Sequence, residues 1–197
     1  MKRLLIIGAG GHGRVAADIA SHCGYRDIAY LDDAPGKGVV GKVADFERYL
    51  QEADFFVAIG NNGIRERIQL ELEAHGASIV TLIHPHAVIA GGTTIGRGTM
   101  VAAGAIVCVD VTIGDGVIIN TAASVDHDCT VGDFCHVSVG SHVCGTVHIG
   151  DRTWIGAGAT VINNVDVGND CMIGAGAVVV KSITDSGLYK GVPATRE

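Results

Sequence analysis

No stretch of this 197-residue chain approaches the roughly 18 uninterrupted apolar residues that a membrane-crossing helix needs, so its positive mean hydropathy has another source. There is no basic run, and the net charge is -7, which argues against a nucleic-acid or anionic-membrane surface. Six cysteines occur without a single CxxC spacing, which removes the common zinc and redox motifs. The opening Met1-Lys2-Arg3-Leu4-Leu5-Ile6-Ile7 begins like a secretory leader, but Gly8 cuts the apolar run at four residues. A cytoplasmic protein without membrane insertion is the expectation.

What is present is a repeat. From Ile83 to Val179 every sixth residue is isoleucine or valine, seventeen in succession. A hexad is too short to bury its own apolar residue, so successive turns must stack as a solenoid. Four residues after each aliphatic stands a small or slender side chain, as at Ala87, Thr99, Ala123, Cys135 and Ala177. One branched and one small inward position per hexad fill a narrow prism walled by short parallel strands. Cys129, Cys135 and Cys171 fall on the small inward position and read as buried hydrophobes. Glycine follows the aliphatic at Gly96, Gly114, Gly132, Gly150, Gly156, Gly168 and Gly174, where the chain is expected to turn a corner.

The first eighty residues follow a different rule. Leu4 to Ile7 reads as a buried strand, followed by Gly8, Gly10 and Gly13 in a GxGxxG arrangement and a helix ending at Gly24. A second strand, Ile28 to Leu31, ends in Asp32-Asp33, close to twenty residues after the glycines. Taken alone this is a dinucleotide fingerprint. The unit is too short for a dinucleotide, however. A third strand over Asp54 to Ile59, a helix through Ile64, Ile68 and Leu72, and a short strand from Ile79 to Leu82 complete only half of a doubly wound domain. That is enough for one nucleotide diphosphate, and a nucleotide-sugar fits it best. The candidate walls are Gly10, Gly11, His12 and Gly13, then Asp32 and Asp33, then the Gly60-Asn61 turn. The expected organisation is α/β plus all-β, with a half-Rossmann βαβ domain over 1–80 and the solenoid with a C-terminal tail over 81–197.

Polar exceptions to the hexad mark the chemistry. His127-Asp128 interrupts the pattern, and Gly145 lies eighteen residues later, one rung above His127 if three hexads make a turn. Its backbone N–H would then aim at a group reacting beside the imidazole. His136, His142 and His148 recur at six residues, which on the same three-hexad turn would put them on three different faces, too far apart to share one ion; no metal is expected. His142 and His148 are read as solvated corner residues. Nothing in the chain forms a Ser-His-Asp or catalytic cysteine constellation.

The stretch from Asn120 to Gly145, with His127-Asp128 and Val131-Gly132-Asp133-Phe134-Cys135-His136, resembles the hexapeptide-repeat sugar N- and O-acetyltransferases of the PglD/NeuD type. The resemblance extends to Gly10-Gly11-His12-Gly13, Asp32-Asp33 and Gly191-Val192-Pro193-Ala194, so it covers the whole chain. It implies a left-handed parallel β-helix, acetyl-CoA as cosubstrate and a homotrimer with active sites between subunits. By the same resemblance His127 is the general base, Asp128 its orienting partner and Gly145 the donor facing the acetyl carbonyl. His136 contacts the acetyl-CoA arm, Asn120 lines the thioester, and Lys181 or Lys190 meets the coenzyme phosphates. Relatives often carry glutamate where this chain has Asp128.

The function implied is acetyl-CoA-dependent N-acetylation of the 4-amino group of a nucleotide-linked 4-amino-4,6-dideoxy sugar for glycan biosynthesis, with UDP the preferred carrier. An imidazole is matched to accept the amine's proton near neutral pH. Its rivals are O-acetylation of a sialic acid type sugar, a GDP- or dTDP-linked amino sugar as acceptor, and a non-catalytic trimeric nucleotide-sugar scaffold.

Overall fold

The computed structural model describes residues 2–197. Strand β1 (Arg3–Ile7) leads through the glycine loop into helix α1 (Gly11–His22), followed by β2 (Ile28–Leu31), β3 (Val39–Gly41), β4 (Ala53–Val57), helix α2 (Asn62–Ala74) and β5 (Ser78–Ile79). The five strands form one parallel sheet in the order β3-β2-β1-β4-β5. Alternation along β1 sends Leu4 and Ile6 to one face of the sheet and Leu5 and Ile7 to the other. Leu5 and Ile7 pack with Phe55, Val57, Ile68 and Leu72 beneath α2. Leu4 and Ile6 pack with Ala16, Ile19 and Ala20 of α1, and with Leu82, Met100 and Ile118 of the solenoid. One apolar core therefore joins the sheet to the prism.

From Leu82 onward strands of two residues, three at Cys171–Ile173, recur on three faces at the six-residue period. The first face carries Leu82–Ile83, Met100–Val101, Ile118–Ile119, His136–Val137, Trp154–Ile155 and Cys171–Ile173. The second carries Ser124–Val125 and His142–Val143, and the third Thr130–Val131 and His148–Ile149. Strands pair in parallel at eighteen-residue spacing, as Val107 with Val125 and Val125 with Val143. The inward aliphatics and the small residues four later form the prism's core. Cys129, Cys135 and Cys171 are buried there as free thiols, as expected.

The stack ends in the tail. Val167 bridges Ile183, sixteen residues on instead of eighteen, so the last corner is two residues short. The segment Gly187–Lys190 then pairs in parallel with Cys171–Ile173, and Thr195–Arg196 turns back antiparallel beside it. Gly191 and Ala194 hydrogen-bond to Val178 on the second face.

Several details differ from the pattern-based reading. The strand expected over Ile79 to Leu82 is two strands, Ser78–Ile79 in the sheet and Leu82–Ile83 in the prism, because the chain crosses from one body to the other within it. The third strand ends at Val57, before Ile59. β3 and a 3-10 helix over Val43–Tyr49 went unread, since neither shows apolar periodicity. His142 and His148 are exposed, but they stand on strands and not at corners. The corner glycines are needed for close stacking. A Cβ on Gly114 would lie 2.9 Å from the backbone nitrogen of Asp133 on the next rung, with its φ outside the left-handed region. The left-handed turn falls two residues later, at Gly116 or at residues such as Asp128 and Asn164.

Candidate active site

His127 stands at the corner between the second and third faces, after Ser124–Val125 and before Thr130–Val131. Its Nδ1 is 2.7 Å from Asp128 Oδ2, and its backbone N–H donates to Asp126 Oδ1 at 2.8 Å. Asp128 adopts φ 57°, a left-handed conformation that aspartate tolerates better than most residues and that folds its carboxylate back onto the ring. The hydrogen bond to Asp128, followed by the charge of Asp126, raises the pKa of His127 above the ordinary histidine value. Asp128 takes Nδ1, which leaves Nε2 as the nitrogen available to a substrate.

One rung above, Gly145 lies directly over that nitrogen. A Cβ on Gly145 would sit 2.6 Å from His127 Nε2. Its N–H makes no hydrogen bond among the described residues, whereas its carbonyl accepts from Asn164. Asp126, Cys144, Thr146, Asn163 and Asn164 line the same groove. Asn163 and Asn164 escaped the sequence reading, although eighteen-residue stacking from Gly145 leads straight to Asn163. Gly145→Ala is expected to lower turnover about 10²-fold, because its methyl group displaces the imidazole by close to an ångström while the backbone needs no left-handed φ. Steady-state kinetics beside an unchanged circular dichroism spectrum checks this.

Asn120 and His136 form a second cluster on the first face. Asn120 Nδ2 lies 3.1 Å from His136 Nε2, and the His136 ring stacks on Trp154 at 4.7 Å. His136 is 7% exposed, and its Nδ1 has no partner among the described residues. His12, in the first turn of α1, likewise has a buried Nε2 without a partner. Burial and then the nearby Arg65 charge push His136 down to about 3 and His12 down to about 4.

Both imidazoles are thus neutral in the folded protein and titrate near 6.5 when unfolded. The unfolded chain binds more protons as pH drops below 6.5, so their contribution to stability is present above that value and is lost toward the folded pKa values. The melting temperature is expected to fall steadily between pH 7 and pH 4.5, and His136→Phe to flatten the slope. A melting temperature independent of pH over that window would contradict the assignment.

Arg65 escaped the sequence reading altogether. It is fully buried and donates to the carbonyl oxygens of Ile59, Gly60, Gly116, Phe134 and Cys135 and to Asn62 Oδ1. Among the described residues no carboxylate lies within ion-pair distance of it. The guanidinium is a bolt from α2 into two corners of the prism.

The nucleotide candidates cluster at the C-terminal edge of the parallel sheet. A Cβ on Gly13 would fall on the Gly8 carbonyl oxygen, so glycine there lets α1 approach β1, while Gly10 and Gly60 open to free space. Gly11 begins α1. Asp32 accepts from the Ala9 N–H at 2.7 Å and the Ala34 N–H at 2.8 Å, which lowers its pKa and braces the glycine loop. Asp33 accepts from Val43, and Asn61 caps α2 by accepting from Ile64. Arg14 and Lys37, unread from the sequence, line the adjoining groove with Tyr30. At the far end Lys190 pairs with Glu197, while Lys181 follows the last strand of the second face and is exposed.

Residues 3–72 match the PglD N-terminal domain family, and residues 146–181 match the bacterial transferase hexapeptide family (six repeats). The chain is 40% identical to the acetyltransferase domain of PglB from Neisseria gonorrhoeae FA1090, over 100% of both chains with a TM-score of 0.97. It belongs to the PglD-type hexapeptide-repeat nucleotide-amino-sugar N-acetyltransferases, a left-handed β-helix family. Another member, PerB from Caulobacter crescentus, solved with CoA and GDP-perosamine, is 40% identical over 100% of this chain and 98% of that one, with a TM-score of 0.96. UDP-N-acetylbacillosamine N-acetyltransferase of Bacillus subtilis (strain 168) is 35% identical over 113 residues, 52% of each chain. The alignment therefore spans about half the length of that curated relative. Within this family frame, His127, Asp128 and Gly145 are in contact in one chain, whereas Asn120 and His136 pair on another face of the prism, where the charge of a protonated His12 on α1 bears on His136.

Proposed function

We propose that this protein transfers the acetyl group of acetyl-CoA to the 4-amino group of a nucleotide-linked 4-amino-4,6-dideoxy sugar, with UDP as the carrier. The stacking of Gly145 over His127 Nε2 carries the reading, since it joins a base and a free backbone donor at one point. The amine nitrogen attacks the thioester carbonyl carbon, and His127 Nε2 takes the proton released as the C–N bond forms. The Gly145 N–H stabilises the developing oxyanion. When the C–S bond breaks, the imidazolium returns the proton to the departing thiolate. Asp128 holds the ring's tautomer and offsets its transient charge.

Support for UDP comes from the Bacillus relative, named for a UDP-linked sugar. A GDP-linked acceptor is the second reading, favoured by the Caulobacter structure solved with GDP-perosamine. The separation of His127 from His136 and His12 on different faces supports a homotrimer in which one subunit's base meets a nucleotide-sugar held by its neighbour. Domains over 1–80 and 81–197 then divide the labour, the first holding the nucleotide and the second the coenzyme, with Lys181 toward its phosphates.

The test is thiol release from acetyl-CoA with UDP-, GDP- and dTDP-linked 4-amino sugars and with free sialic acid, with product masses recorded. Turnover of one nucleotide amino sugar supports the proposal and names the carrier; transfer to sialic acid alone would overturn it. Sedimentation of an active species at monomer mass would contradict the shared site.

A further inference from the structure

The Asn120–His136 pair carries more than a contact. The backbone N–H of Thr121 donates to Asn120 Oδ1 at 2.8 Å, and a backbone amide can only donate. The oxygen of Asn120 is therefore fixed on the Thr121 side, and its NH₂ group faces His136 Nε2 at 3.1 Å. An NH₂ group has no lone pair to offer, so His136 Nε2 must accept. The ring is neutral, which leaves its one proton on Nδ1. That N–H is buried and has no acceptor among the described residues. Trp154 holds the ring plane by stacking and is itself anchored by its Nε1–H to Ser138 Oγ at 2.6 Å. The charged groups that bear on the ring are Arg65 from α2 and, when protonated, His12 from α1. Both disfavour a positive imidazolium.

We propose that Asn120 is a positioning residue that locks His136 in the Nδ1–H tautomer, so that His136 presents a fixed neutral donor to an acceptor oxygen of a bound substrate at the junction of the two domains. A buried donor without an acceptor is costly, and binding an oxygen there recovers that cost. The ligand group must be an acceptor, such as a phosphate oxygen of the sugar nucleotide or a carbonyl oxygen of the acetyl-CoA arm. His136 does not exchange protons with it. This proposal rests on the acetyltransferase reading for the identity of the ligands but not for the tautomer.

The deciding variant is Asn120→Asp, nearly identical in shape, which replaces the NH₂ with an oxygen that demands a proton from Nε2. Proton–nitrogen correlation spectra of the histidine-labelled protein read the tautomer, with His136 assigned by comparison with His136→Phe. Isothermal titration with coenzyme A, UDP and GDP reads the ligands without turnover. Expected are a proton on Nδ1 in the wild type, its move to Nε2 in Asn120→Asp, and a loss of about 10–100-fold in affinity for the coenzyme or for a nucleotide. The arm that weakens identifies the oxygen. His136→Phe, which keeps the stack on Trp154, should weaken the same arm. A wild-type proton on Nε2, an unmoved proton in Asn120→Asp, or a moved proton with all affinities unchanged would each overturn the proposal. Failure of the wild type to bind any of the three ligands would instead overturn the acetyltransferase reading, while the spectra still decide the tautomer.

Discussion

His127→Ala is expected to lower kcat by about 10²–10⁴-fold with little change in stability, because the ring is exposed and its hydrogen bond is to the equally exposed Asp128. An alanine leaves the oxyanion donor in place and removes only the proton acceptor. The pH profile gives an independent check. His127 acts in its unprotonated form, so kcat/KM should rise with pH through a pKa that the Asp128 hydrogen bond holds above the ordinary histidine value. Asp128→Asn weakens that bond and should move the rising limb toward lower pH. Wild-type turnover in His127→Ala would eliminate the general base assignment.

Arg65→Met should cost about 3–5 kcal/mol of stability, the largest effect expected from any single substitution away from the corner. Six acceptors lose their donor at once, each buried unsatisfied group costs about 1–3 kcal/mol, and local rearrangement recovers part of the sum. Because the bolt ties α2 to the corners at Gly116 and Phe134, the loss should loosen the sheet from the prism before the prism itself melts. Urea unfolding followed by Trp154 fluorescence, which reports the first face, measures it. A loss below about 1 kcal/mol would show that the carbonyls find other donors.

The solenoid was legible because its rule is one-dimensional. An inward aliphatic every six residues leaves few ways to bury Val125, Val143 and Val161 together. The corner histidine and its glycine were legible by the same arithmetic, since eighteen residues bring Gly145 over His127. Arg65 was illegible because a charged residue on a helix reads as solvated, and only the approach of the prism to α2 turns that face inward. Gln69, one helical turn on and also buried, was hidden for the same reason. The pairing of Asn120 with His136 follows the stacking rule at sixteen residues, not eighteen, because a side chain leaving the end of one strand meets one at the start of the next rung's strand. His12 came from the other half of the chain, and no periodicity connects the two.

The tail's path also bears on association. A parallel stack of short strands offers its last rung as a template on which a second molecule can continue, the usual route from a repeat protein to a fibre. Here Ile183 takes the end of the third face, Gly191 and Ala194 take the second, and the first closes with a strand running the opposite way. An incoming coil finds the first face closed by a strand of the wrong direction and the third out of step, so residues 183–197 cap a pattern that has no internal reason to stop.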